Sequence, residues 1–283
     1  MDAALRMQII KASEAALAGG EPVVVATVTS AGSAGDVVAG EKLLVRPDGS
    51  TLGRFERVAL ERAVIEAARE VFDAFPRVPV ETLYFRDDGA AVTRWHQARP
   101  GDAQVMLQLF EPPARLVVVG AGHVGLAVAE IGEMLGFGVT VVDDREEFAN
   151  AERFPMAEAI HCAPTEDAFE RIAFDRSTFV VLVSRGHRQD EEALRAVMGR
   201  GAGYVGMIGS KRRTATVLEH LAAEGFDRAE LERVATPIGL DVGAETPAEI
   251  AVSILAEITL VRRGGTGARM SSERPRMRSP ARG

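Results

Sequence analysis

The chain has 283 residues, enough for one large domain or two ordinary ones, and no apolar run in it reaches the roughly 20 residues that cross a bilayer. Its single cysteine, Cys162, excludes an intrachain disulfide and an iron–sulfur cluster held by four cysteines, and it favours a reducing cytoplasm. The net charge of -8, which is more negative still before the arginine-rich end, argues against a surface that binds nucleic acid.

The first part of the chain predicts a small α+β domain over residues 1–98. Residues 1–20 carry charges near their start and no sustained apolar core, which indicates an amphipathic helix rather than a signal peptide. A longer helix is expected over residues 56–75, and strands are expected over 21–28, 41–47 and 80–85. Residues 99–113 include a short apolar strand and end in two prolines, and we interpret them as a linker between domains.

The second part predicts a parallel sheet. Near-continuous apolar runs alternate with helical or polar segments, which is typical of strands buried on both faces. We therefore expect a doubly wound α/β domain over residues 114–262. Its strands are expected over 116–120, 139–143, 159–161, 178–183 and 204–208.

A glycine motif follows the first of these strands and opens a helix. In Gly120-Ala-Gly122-His-Val-Gly125, the first glycine permits a tight turn, the second lets a pyrophosphate approach the backbone, and the third lets the helix pack on the strand. The N–H groups at the helix start would face the phosphates. His123 lies inside the motif, where it would reach the same crevice. The helix should bury its apolar face, formed by Val124, Val128, Ile131 and Leu135.

An acid ends the next strand at the expected distance from the motif. Asp143 would bond ribose hydroxyls and repel a 2′-phosphate. Strand, glycines, helix and acid together predict a Rossmann-like domain with a dinucleotide site. The alternative is a Rossmann domain that keeps its glycines for backbone geometry alone.

Two further segments should lie near this crevice. His187 follows the fourth strand and is placed to act as a proton donor, a proton acceptor or a metal ligand, although an exposed histidine without chemistry is an equal alternative. Asp190, three residues later, is interpreted as the N-cap of the next helix. After the fifth strand, Gly209 and Ser210 precede Lys211 and Arg212 at a helix start, where cations oppose the helix dipole. An anionic ligand explains these cations, and solvated surface charges are the alternative.

The C-terminal helix is specified by its own caps. Thr246-Pro247-Ala248-Glu249 is a capping box with proline at the first helical position. The residues beyond it, 263–283, are rich in glycine, serine, proline and arginine, and we expect a disordered basic tail.

Four segments of the second domain, residues 116–155, 184–194, 204–221 and 236–258, together resemble the XdhC/CoxI family of xanthine dehydrogenase accessory proteins. Residues 23–53 resemble that family's smaller domain. The resemblance implies a maturation factor that binds the molybdenum cofactor, a molybdopterin, and delivers it to a molybdenum hydroxylase. It also implies a homodimer and two partners, which are a cysteine desulfurase and a molybdenum hydroxylase subunit.

The sequence departs from that family after Gly53. The family usually has a glycine-rich run ending in cysteine there, whereas this chain has bulky residues and places Ala59 at the cysteine position. An alanine neither ligates a metal nor carries sulfur. Arg54 and Arg57 in this segment either contact an anion or, as we favour, lie on the surface at a helix start.

These observations leave three hypotheses about function. The first is the accessory protein, without catalytic or metal-ligating residues of its own. The second is an NAD(H)-dependent oxidoreductase, and the third is a non-catalytic nucleotide-sensing module, so that NAD(P) is a further candidate ligand. Under each, the expected binding residues are Gly120, Gly122, His123, Gly125, Asp143, His187, Gly209, Ser210, Lys211 and Arg212.

Overall fold

The computed structural model describes residues 3–33, 37–74, 76, 78–92, 95–184 and 186–273. The chain divides into two compact units, Met1–Pro113 and Ala114–Gly283. Residues 274–283 of the expected basic tail lie outside the described residues. No helix within the described residues is both long and apolar enough to cross a membrane.

The first unit is an antiparallel sheet with a helix on each face. Its described strands are ordered β3-β2-β1-β6-β4-β5. Side chains alternate along β1, so that Val24 packs with the second helix and Val25 with the first. The elements are α1 (Ala3–Leu17), β1 (Val23–Ser30), β2 (Lys42–Val45), β3 (Thr51–Leu52), α2 (Val58–Asp73), β4 (Val80–Phe85), β5 (Ala91–Val92) and β6 (Ala103–Phe110).

The segment that we expected to be a linker belongs to the middle of this sheet. β6 pairs with β1 on one side and with β4 on the other. Ala103, Val105 and Leu107 alternate along it and are buried in the core of the unit. The expected linker over residues 99–113 is therefore wrong, because this strand finds its main partner about 80 residues earlier in the chain.

The second unit has the expected doubly wound α/β fold. Its described strands form a parallel sheet in the order β11-β10-β7-β8-β9. Helices cover both faces, since Val118 of β7 packs with α3 and α8, and Val119 packs with α4, α5 and α6. The elements are β7 (Arg115–Val119), α3 (His123–Met134), β8 (Gly138–Asp143), β9 (Ala159–Cys162), α4 (Thr165–Phe169), β10 (Thr178–Leu182), α5 (His187–Val197), β11 (Tyr204–Met207), α6 (Lys211–Ala223), α7 (Arg228–Leu231) and α8 (Pro247–Arg263).

The strand order places the glycine motif that follows β7 at the centre of the sheet. Starting from β7 the chain winds outward to β8 and β9, and then crosses to β10 and β11 on the other side. The loops after β7 and β10 therefore leave neighbouring strands in opposite directions, which opens a crevice between them. This confirms the expectation that the two loops flank one crevice.

The start of α8 and the buried face of α3 can be compared with the expectations from the sequence. The capping box at the start of α8 is confirmed, because the Thr246 hydroxyl accepts from the Glu249 N–H and the Glu249 carboxylate accepts from the Thr246 N–H. The expected face of α3 is partly wrong, since Leu135 is 45% exposed. The helix instead packs through Gly132, where a Cβ would overlap the side chain of Leu116 on β7.

Candidate functional site

The three glycines of the motif have different structural requirements. Gly120 has φ 109°, and a Cβ there would lie 2.7 Å from the backbone N of Ser184, so that only glycine fits this turn. A Cβ at Gly125 would overlap the carbonyl oxygen of Gly120, so that this glycine lets α3 lie against the loop. These two glycines are explained by the fold itself.

Gly122 is the exception within the motif. Its φ of -71° is accessible to any residue, and apart from its two chain neighbours no described residue has an atom within 4 Å of a Cβ built there. Gly122 is also the N-cap of α3 and makes no side-chain cap, so the first N–H groups of the helix are directed toward open space beside it. Neither backbone strain nor crowding by the described residues therefore requires a glycine here.

A cavity of about 90 Å³ lies at the carboxyl ends of β7, β8 and β10. Two of the expected site residues, Gly120 and Asp143, line it together. Further hydrogen-bonding groups in its wall come from Asp144, Thr165, Ser184 and Gln189. The structure thus brings the glycine loop, the acid that ends β8 and the loop after β10 to one place.

Asp143 is buried and fully hydrogen-bonded. One carboxylate oxygen accepts from the Ala121 N–H at 2.8 Å and from Arg145 Nη2 at 2.8 Å. The other accepts from the Arg145 N–H at 3.1 Å and from Arg145 Nε at 2.9 Å. Burial on its own would raise the pKa of Asp143, but the hydrogen bonds from Arg145 and Ala121 outweigh it and hold that pKa below its usual value.

Two arginines beside the loop were not identified from the sequence. The Arg145 guanidinium stacks over the Phe148 ring at 4.0 Å, and that of Arg153 lies 5.1 Å from the same ring. Arg153 also donates to the carbonyl of Ala121 at 3.3 Å. The position of Arg145, two residues after the acid that ends β8, could have indicated a contact with that acid. Arg153 could not be found in this way, because it contacts Ala121 from 32 positions further along the chain.

The interpretation of Asp190 as a helix N-cap is wrong. Gly186 is the N-cap of α5, and Asp190 lies one turn into the helix, only 6% exposed. Its carboxylate reaches back to accept from the Ser184 hydroxyl at 2.6 Å and from the Ser184 N–H at 3.2 Å. Burial raises the pKa of Asp190 from its usual 3.8 to about 6, although the two hydrogen bonds act in the opposite direction.

We expect Asp190→Asn to stabilise the protein above pH 6, because the raised pKa means that ionised Asp190 opposes folding there. A change in pKa from 3.8 to about 6 on folding lowers the free energy of unfolding by about 3 kcal/mol at pH 7.5, and the neutral asparagine should restore this amount. The gain should shrink as the pH falls from 6 to 3.8 and should vanish below 3.8, where the carboxyl is neutral in both the folded and the unfolded state. The amide oxygen of asparagine can still accept from Ser184.

Urea unfolding of wild type and Asp190→Asn at pH 7.5 and 4.5 measures this difference. Asp241→Asn, at an exposed acid of the same unit, is the control and should stay within about 0.5 kcal/mol of wild type. A variant that is less stable than wild type at pH 7.5 would contradict the account.

The expected residues after β11 form a separate group. Ser210 is the N-cap of α6, as expected, but its side chain makes no cap hydrogen bond. Ser210, Lys211 and Arg212 are all exposed at the start of the helix. Because β10 lies between β11 and β7, the strand that leads into this group and the strand that leads into the glycine loop are two strand spacings apart, which is about 10 Å.

The two histidines have different positions. His123 is the first residue of α3 and is exposed directly beside Gly122. His187 is the first residue of α5, and its side chain lies outside the described residues. A role for either histidine in binding stays a prediction.

In the first unit, two side chains of the segment that departs from the family are buried. Phe55 and Arg57 are 2% and 7% exposed, so the interpretation of Arg57 as a surface residue is wrong, while Arg54 is exposed. Arg57 is the N-cap of α2 and its guanidinium lies 3.4 Å from Asp87. The Glu61 carboxylate accepts from the Phe55 N–H at 2.6 Å. The start of α2 is thus occupied by the protein's own side chains.

Comparison with known proteins finds relatives over much of the chain. The Escherichia coli (strain K12) protein YqeB is 32% identical over 231 residues, 81% of this chain and 42% of its own. A probable xanthine dehydrogenase subunit of Bacillus subtilis (strain 168) is 29% identical over 161 residues, 56% of this chain and 46% of its own. The molybdenum cofactor insertion chaperone PaoD of Escherichia coli (strain K12) is 24% identical over 153 residues, 54% and 42% of the two chains. The chain thus spans less than half the length of these relatives.

A solved structure has the same fold. The crystal structure of a xanthine dehydrogenase from Bacillus halodurans aligns with a TM-score of 0.52 and 18% identity, over 92% of this chain and 97% of that one. The family models agree with the two units, since the XdhC Rossmann domain matches residues 116–258 and the XdhC and CoxI family matches residues 16–82. The chain therefore belongs to the XdhC and CoxI family.

Proposed function

We propose that the protein is an accessory factor for a molybdenum hydroxylase of the xanthine dehydrogenase type. In this role it binds the molybdenum cofactor as cargo at the glycine loop of the second unit and delivers it to the enzyme. The open space at Gly122 carries the proposal, because the fold alone does not require a glycine there. The names of two relatives, a molybdenum cofactor insertion chaperone and a xanthine dehydrogenase subunit, support the choice of cargo and recipient.

The chemistry of the loop suits the phosphate of a pterin cofactor. The first N–H groups of α3 have no partner within the helix, as at any helix start, and the N-cap Gly122 supplies no side-chain acceptor, while the positive end of the helix dipole lies behind them. A phosphate beside Gly122 would accept hydrogen bonds from them without displacing a side chain. The adjacent cavity offers Asp144, Ser184 and Gln189 to the amide and amino groups of a pterin.

A second anionic group of the ligand would meet its partners after β11. The N-cap Ser210 and the exposed cations Lys211 and Arg212 follow β11, which lies two strand spacings from β7, the strand that leads into the glycine loop. An extended ligand that carries more than one phosphate would span this distance. The cysteine desulfurase partner and the homodimer stay predictions of the family resemblance.

A transfer assay tests the proposal. The protein is loaded with molybdenum cofactor and mixed with a cofactor-free molybdenum hydroxylase, and the recovered hydroxylase activity is measured against free cofactor at the same concentration. We expect faster and more complete recovery with the loaded protein. Recovery no better than with free cofactor, or failure of the protein to take up cofactor, would contradict the proposal.

The double variant Lys211→Glu/Arg212→Glu should weaken cofactor binding about tenfold or more, because it replaces two cations near the ligand by two anions. Equilibrium titration with molybdenum cofactor measures the change. The matched control is Arg228→Glu/Arg233→Glu, which makes the same change in charge at exposed positions of the same unit. Equal losses in the two variants would mean that overall charge, and not this helix start, affects binding.

A further inference from the structure

The acid that ends β8 has no capacity left for a ligand. In a Rossmann site this carboxylate accepts hydrogen bonds from the ribose hydroxyls of a dinucleotide. A carboxylate has about four lone-pair positions. Those of Asp143 meet four donors, one from Ala121 and three from Arg145, at 2.8 to 3.1 Å.

Arg145 supplies the part of this arrangement that a ligand would have to displace. Its side chain donates once to each oxygen of Asp143, and its guanidinium also stacks over the Phe148 ring. The Arg145 side chain is 35% exposed, whereas that of Asp143 is 5% exposed. A ribose diol that approached Asp143 would therefore meet Arg145 first.

We propose that Arg145 is a specificity-determining residue that excludes dinucleotides of the NAD type from the glycine loop. A ribose diol gains its hydrogen bonds to Asp143 only by breaking a two-point charge-assisted pair, and a neutral hydroxyl is the weaker partner of the two. A ligand that is held by its phosphate at the start of α3 and does not use Asp143 avoids this cost. The loop is thus open to phosphate and closed to ribose recognition.

Removing the Arg145 side chain should open Asp143 to ribose. The carboxylate would keep the N–H groups of Ala121 and of residue 145, so that it would remain hydrogen-bonded. We expect Arg145→Ala to bind NADH at least about tenfold more tightly than wild type, because a charged acceptor becomes available. Arg145→Met is a second variant that retains an apolar side chain over Phe148.

Titration followed by nicotinamide fluorescence measures NADH affinity in each variant. Arg153→Ala is the matched control, since it removes the other guanidinium near Phe148 but makes no bond to Asp143. It should bind NADH like wild type. In the double variant Asp143→Asn/Arg145→Ala the gain should disappear, because the amide has fewer acceptor positions.

Three outcomes would overturn this inference. The first is equal NADH affinity in wild type and both Arg145 variants, including no binding in any of them. The second is an equal gain in Arg153→Ala, which would point to a loosened loop. The third is tight NADPH binding by wild type that Arg145→Ala loses, which would make Arg145 a ligand for a 2′-phosphate. The inference shares the glycine loop with the proposed function, but its probe is NADH, so that its failure leaves cofactor delivery untouched.

Discussion

Gly125→Ala is expected to destabilise the second unit by more than about 3 kcal/mol, which is among the larger effects of a single substitution. The added Cβ would overlap the carbonyl oxygen of Gly120, and it would also approach the side chain of Val118 on β7 to 3.4 Å. Backbone cannot rotate away as a side chain does, so α3 would have to move off the sheet. That movement would break the core that α3 shares with α8.

The matched control for this variant lies in the same motif. Gly122→Ala adds the same methyl group where, apart from the two chain neighbours, no described residue has an atom within 4 Å, and we expect it to lower the free energy of unfolding by about 1 kcal/mol or less. Urea unfolding followed by circular dichroism measures both variants. If Gly125→Ala were as stable as Gly122→Ala, α3 would not pack against the loop as the structure has it.

Gly122→Val is expected to abolish cofactor binding and leave the protein folded. The backbone at Gly122 has φ -71° and ψ -167°, an extended conformation that valine adopts readily. The side chain would fill the space in which a phosphate meets the N–H groups of α3. Loss of two charge-assisted hydrogen bonds corresponds to an affinity loss on the order of 100-fold or more.

Titration with molybdenum cofactor, together with the melting temperature of each variant, measures this effect. Glu130→Val is the control, because it adds the same side chain at an exposed position of the same helix. It should bind cofactor like wild type. Unchanged affinity in Gly122→Val would show that the glycine serves the backbone only, and the alternative of a structural Rossmann domain would then stand.

The parts of the fold that local sequence patterns specify were predictable. The expected strands over 80–85 and within 99–113 coincide with β4 and β6, and the five parallel strands lie within a residue or two of their expected limits. Apolar runs, glycine turns and capping residues lie close together in the chain, so that a short window contains the whole signal. The motifs that resemble the XdhC/CoxI family are also of this kind.

Most features that were predicted wrongly depend on contacts between residues that are far apart in the chain. β6 was assigned to a linker because nothing near it shows that it pairs with β1. Arg57 was placed on the surface because its contact with Asp87 lies 30 residues away. Leu135 was assigned to the core because the pattern favours large apolar residues, whereas close packing of α3 uses Gly132.

In the candidate site, too, some features were predictable from local sequence and others were not. The turn at Gly120 and the acid at Asp143 follow from the motif, and the structure brings both to one cavity. The motif did not reveal that Arg145 saturates Asp143, or that Asp190 reaches back to Ser184 from inside α5. Both depend on side-chain directions that spacing alone does not specify.

A crystal structure of the protein with bound molybdenum cofactor tests the central claim most directly. We expect a phosphate oxygen of the cofactor beside Gly122, about 2.7 to 3.2 Å from the backbone nitrogens at the start of α3. Cofactor bound elsewhere, with its phosphate away from this helix start, would contradict the account.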